Sequence, residues 1–320
     1  KYIKNVKEQV DVCLSKTSLS KYELCRRRFM QMLEKKYHCK DMSLKELNPV
    51  VVQDYKNFLM TDVNMCNNTA VKTMKTFRTV ILYGIKLGVI HKDPFVGVHF
   101  HMEKVDRGFL TDEEISAIMT KKFDLQRLEL VRDLFIFSCF TGLAYIDVKA
   151  LTPDKIVRLA NVDWIMSTRV KTVTPINVVL SEGAKRIIEK YKDAPKKKGH
   201  VFPILSNQKM NQYLKEIATA CGIDKELTFH MARHTFATLT LSKGVPIESV
   251  SRMLGHTNIR TTQVYAKITN KKIEHDMAKF FKDKTICDLN NESISMTAKD
   301  EQSPKTRGKK DGGTQPAVRA

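Results

Sequence analysis

A charged stretch, HFHMEKVDRG at residues 99–108, separates two runs of apolar patterning, so the chain has to build two hydrophobic cores rather than one. The sequence restarts as FLTDEEISAIM, where Thr111 is set to cap a new helix while Glu114, three residues on, reaches back to the Thr111 amide. A domain boundary is therefore expected between Met102 and Gly108. With 320 residues, 42% of them hydrophobic, the chain has enough apolar material for two cores.

Before the boundary, apolar residues recur at helical spacing. Tyr22, Phe29, Leu33 and Tyr37 do so between Ser18 and Tyr37, and Ala70, Met74, Phe77, Ile81 and Ile85 form a stripe between about Thr69 and Leu87. Gly84 should weaken that second helix a little, and Gly88 followed by Asp93-Pro94 should stop it. The pattern predicts a small helical bundle over residues 1–104.

After the boundary, LFIFSCFTGLAYIDVKALTP reads as a buried helix, a turn at Gly142 and a short second helix. The period then changes. Trp164, Ile165, Met166, Val170, Ile176, Val178 and Val179 surround a turn-prone KTVTP, which predicts a hairpin with strands near Trp164 to Val170 and Pro175 to Leu180. The lone Trp164 is expected to pack under that hairpin. Helices follow near Ser181 to Lys192, Gln208 to Cys221, His230 to Ser242 and Ile247 to Leu254. The fold class predicted is mainly α with a small β-sheet, its second domain spanning 108–284. The tail, 285–320, has no aromatic residue and ends in SPKTRGKKDGGTQPAVRA, so disorder is expected from about Asp288.

Charge narrows the partners. Fifty-five Lys+Arg against 35 Asp+Glu give a net charge of +20, more than solubility requires and suited to a polyanion. Because the basic residues are spread along the chain rather than gathered on one amphipathic helix, nucleic acid is favoured over a membrane surface. Lys72, Lys75 and Arg78, beside the Thr69 to Leu87 stripe, are candidate phosphate contacts, the bland alternative being a solvated face. The seven cysteines are scattered without a C-x-x-C pair, which argues against a disulfide framework and fits a reducing cytoplasm. No apolar run approaches membrane-spanning length and no signal-peptide pattern opens the chain. The first residue is Lys1 rather than Met, so a preceding segment is expected.

The pointed chemistry lies in FHMARHTFATLTLSKG and MLGHTNIRTTQVYAKI. His230 and Arg233, three apart on a helix, share a face on which imidazole and guanidinium can converge on one phosphate. Gly244 and Gly255 are placed to end successive helices, leaving His256 just past a helix C-terminus. Tyr265 follows on a Thr-rich segment. His234 could be imagined with His230 as a metal pair, but no carboxylate or cysteine cluster completes a site, and a structural role is favoured for it.

HMARHTFAT, the LGHT turn and the following VY resemble the second signature box of the tyrosine recombinases, or phage integrases. FTGLAYIDVKALT resembles the first box, WIMSTRVKT the hairpin with the catalytic lysine, and GVIHKDPF the end of the core-binding domain. These cover most of residues 10 to 284. The resemblance implies a helical, SAM-like core-binding domain and an α+β catalytic domain closing as a clamp on duplex DNA. It implies site-specific recombination through a 3′-phosphotyrosine, with Tyr265 as nucleophile, Arg233 and His256 as phosphate donors, His230 assisting proton transfer and Lys171 protonating the 5′-oxygen. No metal, nucleotide or other cofactor is implied. The implied partners are a tetramer of this chain on paired sites, exchanging the C-terminal helix KKIEHDMAKFFKDK, and DNA-bending accessory proteins. An N-terminal arm-binding domain, common in such integrases, has no room before the helix near Ser18.

One position departs from the family. The first box normally reads TGLR, and its arginine falls where this chain has Ala144, although the carboxylate three positions later is kept as Asp147. Some integrases of mobile elements resemble this chain in that lack, which implies integration or excision of a mobile element. Arg169, two residues before Lys171, would share its side of the strand and could supply the absent charge; Arg132 and Arg158 are the reserves. Two other functions remain open: a non-catalytic DNA-binding protein, either a decayed recombinase or a helix-turn-helix regulator built from Val245 to Tyr265, and a type IB topoisomerase.

Overall fold

The computed structural model describes residues 2–10, 12, 14–103, 105, 108–266, 277, 278, 280 and 281. It divides at the charged stretch into two units, residues 1–106 and 107–320.

The first unit carries α1 (Tyr2–Glu8), α2 (Lys16–Met32), α3 (Pro49–Thr61) and α4 (Asn67–Lys86). Met32, Val52, Tyr55, Leu59, Ala70 and Met74 form its dry centre. The helix expected to run to Tyr37 leaves α geometry earlier: Leu33–Tyr37 is a π turn, closed by His38 in a left-handed conformation at φ 53°. Two helices were not expected. α1 is too short for a periodic stripe, but α3 carried a readable start signal. Pro49 occupies its first turn, and the Asn48 side chain accepts the Val50 and Val51 N–H groups at 2.9 and 3.2 Å. Gly84 also has a use the periodicity did not reveal. A Cβ there would lie 2.7 Å from Ile90 Cδ1, so its absence lets the returning segment pack on α4.

The second unit contains α5 (Asp112–Thr120), α6 (Gln126–Thr141), α7 (Tyr145–Ala150), β1 (Ile156–Leu159), β2 (Val162–Thr168), β3 (Pro175–Val179), α8 (Glu182–Lys190), α9 (Asn207–Ala220), α10 (Phe229–Ser242), α11 (Ile247–Met253) and α12 (Arg260–Gln263). The capping box of α5 is formed: Thr111 Oγ1 accepts the Glu114 N–H at 3.2 Å, and Glu114 Oε2 accepts the Thr111 N–H at 2.8 Å. α6 is apolar on nearly every side because α5, α8, α9 and α10 all pack on it; Leu134, Phe135 and Phe137 are wholly buried.

The three strands form one antiparallel sheet in the order β1-β2-β3. Its period of two puts Ile165, Ile176 and Val178 into the core. Trp164, paired with Val157 and Val179, therefore lies on the opposite face and is only half-buried, not packed under the hairpin as expected. β1 was not expected; its four residues, IVRL, are too few for an alternation to stand out. Among the described residues no helix is long and apolar enough to cross a membrane. The expected tail and most of KKIEHDMAKFFKDK fall outside the described residues.

Candidate active site

The site is assembled around Arg233, whose residue surface is only 2% exposed. α10 buries Phe229, Ala232, Phe236 and Ala237, and Arg233 sits among these apolar positions. A buried guanidinium is tolerated only where its N–H groups are taken. Nη1 donates to the Gly142 carbonyl at 2.7 Å and Nη2 to the Leu254 carbonyl. Gly142 and Leu254 are the C-caps of α6 and α11, so two negative helix ends face one cation. Gly142 is required there: its φ is +69°, and a Cβ would lie 2.4 Å from Phe236 Cδ1. Burial, and then the charge of Arg169, push Arg233 down to about 10, while Tyr265 and Asp147 act the other way.

Arg169 reaches the same place by a route the sequence did not suggest. β2 ends at Thr168, so Arg169 and Lys171 lie in the β2–β3 turn rather than on a strand, and alternation does not relate them. Arg169 closes that turn: its N–H donates to the Thr174 carbonyl and its carbonyl accepts the Val173 N–H, both at 2.8 Å. Its side chain folds inward and is 14% exposed. There Nε lies 3.5 Å from Asp147 Oδ2, an ion pair, while Asp147 Oδ1 accepts the Val170 N–H at 3.0 Å. Room for the side chain exists because residue 255 is glycine; a Cβ there would be 2.8 Å from Arg169 Cδ. Lys171, two residues on, is exposed, and its side chain makes no hydrogen bond or ion pair with a described residue.

His256 follows α11 past Gly255, as the spacing suggested. Nδ1 is 2.8 Å from the Thr262 hydroxyl. Burial, then Arg233, Arg169 and His230 in that order, push the imidazole down to about 4. These mutual influences place His256, Arg233, Arg169 and His230 within one electrostatic neighbourhood. Tyr265 stacks on His256 with ring centroids 6.3 Å apart and 15° between planes. A second ring beside it is that of His234, edge-on at 4.9 Å, which in turn meets His230 at 4.7 Å. His234 thus belongs to the ring chain that holds Tyr265, a contact that its reading as a structural residue did not include. Its signal was its position four residues after His230 on one helix face.

Lys72, Lys75 and Arg78 lie in the other unit, exposed along one face of α4. Arg78 pairs with Asp93 at 3.4 Å and lies over the Phe95 ring. Among the described residues no group of three or more His, Cys, Asp or Glu could hold a metal.

A cluster of two guanidiniums, an imidazole held mostly neutral and a phenol suits an anion that is attacked by oxygen, and a phosphoryl group fits that description. Comparison with known proteins agrees. The family model of the phage integrase family matches residues 109–272, and that of the phage integrase SAM-like domain matches residues 1–105. The chain belongs to the phage integrase family. It is a tyrosine recombinase, an enzyme of site-specific DNA recombination. The XerD tyrosine recombinase of Halalkalibacterium halodurans is 29% identical over 200 residues, covering 57% of this chain and 66% of that protein. The XerC recombinase of Pediococcus pentosaceus is 23% identical over 256 residues, covering 72% and 81%. Among solved structures, a λ integrase dimer bound to a COC′ core site matches with a TM-score of 0.66 at 17% identity, over 84% of this chain and 95% of that one. The Tn1549 transposon integrase with circular intermediate DNA matches at 0.64 and 17%, over 86% and 97%. The fold expected from the sequence, mainly α, with a helical SAM-like domain followed along the chain by a catalytic domain with a small sheet, is the one these matches share.

Proposed function

We propose that this chain integrates or excises a mobile element by cutting and rejoining duplex DNA through Tyr265. The observation that carries this reading is the clustering of Tyr265, His256, Arg233 and Arg169 within one electrostatic neighbourhood. In the reaction the Tyr265 oxygen attacks a backbone phosphorus, forming a 3′-phosphotyrosine as the bond to the 5′-oxygen breaks. Covalent capture conserves the phosphodiester for rejoining, so no nucleotide is consumed. Arg233 and His256 donate to the non-bridging oxygens, where charge grows. Arg169 supplies the positive charge that Ala144 does not, entering from the turn rather than from the first box. Lys171, at the exposed tip of that turn, protonates the 5′-oxygen once DNA is seated, and His230 assists the proton transfer.

Around this chemistry, Lys72, Lys75 and Arg78 contact phosphates without reading sequence, and the two units clamp the duplex. The chain works in the cytoplasm on the nucleoid, as a tetramer on paired sites that exchanges the segment KKIEHDMAKFFKDK, with DNA-bending accessory proteins. Nicked suicide DNA tests the reading: a covalent complex that forms with the wild type and is lost in Tyr265→Phe supports it. Binding without attachment would instead favour a non-catalytic DNA-binding protein, and relaxation of supercoils by a monomer a type IB topoisomerase.

A further inference from the structure

We infer that Thr262 is a positioning residue: its buried hydroxyl donates to His256 Nδ1 and so fixes the Nε2–H tautomer. The inference rests on the proposed function only for its consequence, that His256 meets the phosphate as a neutral donor.

The direction of the bond follows from where the hydroxyl proton can go. Thr262 is wholly buried, so its O–H needs an acceptor. Helical threonines usually find one in the carbonyl four residues back, as Thr73, Thr76 and Thr79 do on α4. For Thr262 that carbonyl belongs to Asn258, which accepts the Thr261 N–H at 3.0 Å and is not joined to the Thr262 hydroxyl. Among the described residues the Thr262 hydroxyl has one hydrogen bond, the 2.8 Å contact to His256 Nδ1. If Nδ1 carried the imidazole proton, Thr262 would accept and its own proton would be stranded in the core. If Nδ1 is bare, both groups are satisfied and the proton sits on Nε2.

The imidazole must also be neutral for a tautomer to matter. Burial first, and then Arg233, Arg169 and His230, disfavour its charged form. A neutral His256 with Nε2–H donates to an oxygen and cannot take a proton there, which removes it as a base for Tyr265. Thr262 serves the nucleophile as well, since its carbonyl accepts the Tyr265 N–H at 3.0 Å. One residue therefore sets the imidazole tautomer and anchors the turn that presents the phenol.

Two-bond proton–nitrogen correlation spectra of the full chain, labelled at histidine, read the tautomer directly, with His256→Gln assigning the signal. The expected result is Nε2–H in the wild type and in Thr262→Ser, and a mixture in Thr262→Val. Single-turnover cleavage should fall about 10- to 100-fold in Thr262→Val, less than the loss of a phosphate donor outright, and recover in Thr262→Ser. A proton on Nδ1 in the wild type overturns the inference, as does a Thr262→Val spectrum unchanged from wild type. Should Thr262→Val lose its cooperative melt, the wild-type spectrum still decides the direction of the bond. A wild type that shows Nε2–H yet never attaches to DNA refutes the proposed function and leaves the tautomer assignment standing.

Discussion

Arg233 and Arg169 set two positive charges beside one buried carboxylate, Asp147, an arrangement that folding alone would not favour. Arg169→Lys keeps charge but loses the planar fork, so cleavage should slow, by up to about 100-fold, while DNA affinity stays nearly constant. Ala144→Arg should partly restore that variant if both side chains reach one pocket; near-normal single-turnover cleavage by Arg169→Ala would refute the role. His256 makes a second, independent prediction. Its folded value of about 4 lies below the ordinary 6.5, so between these values the unfolded chain holds a proton that the folded chain does not. Stability should fall as pH falls from 6.5 toward 4, and His256→Gln should flatten that slope in urea titrations at stepped pH. At this scale the sequence was informative about identity and weak about route. The shared face of His230 and Arg233 was readable, because helix geometry sets residues three apart side by side, whereas His256 and Tyr265 were singled out by the resemblance to the family's second signature box. That Arg169 enters from a turn was not readable, because the end of β2 depends on the turn closed by Thr174 and Val173.

At the level of elements, the site hangs on helix ends. The C-caps of α6 and α11 both aim carbonyls at Arg233, which ties catalytic geometry to two local chain reversals. Gly142→Ala would force a Cβ into Phe236 and strain a left-handed backbone, so it should cost at least about 2 kcal/mol in chemical denaturation. Cleavage should fall with it as the Arg233 carbonyl partner moves; an unchanged unfolding midpoint would contradict this account. Elements with self-contained signals, such as the Thr111–Glu114 capping box, were legible. Those whose limits are set by tertiary partners were not: β1 exists because β2 gives it a register, and α2 gives way to a π turn where Leu33 enters the bundle core.

For the whole molecule, the +20 charge and the exposed α4 cations predict binding dominated by phosphate contacts. Each contact should add about −0.9 to the slope of log K against log salt, and replacing Lys72, Lys75 and Arg78 together with alanine should make that slope shallower by about 2 to 3. A slope unchanged by the triple substitution would remove these residues from the interface. Truncation after Thr269 should leave DNA binding but weaken the tetramer on paired sites, as measured by native gel mobility; unchanged assembly would remove that role from the C-terminal segment. The stretch 99–108 was legible as a change of composition, while the packing of Phe100 on the first unit's core was not, because one aromatic among charges carries no period.

The central claim is that Tyr265 forms a covalent bond to DNA. Incubating the full chain with nicked suicide DNA carrying its recombination site, then sequencing the nucleotide-bearing peptide, tests this directly. The account predicts one adduct, a 3′-phosphotyrosine on Tyr265, formed without added metal or nucleotide and lost in Tyr265→Phe. An adduct on another residue, or stable binding to the site with no adduct at all, would contradict it.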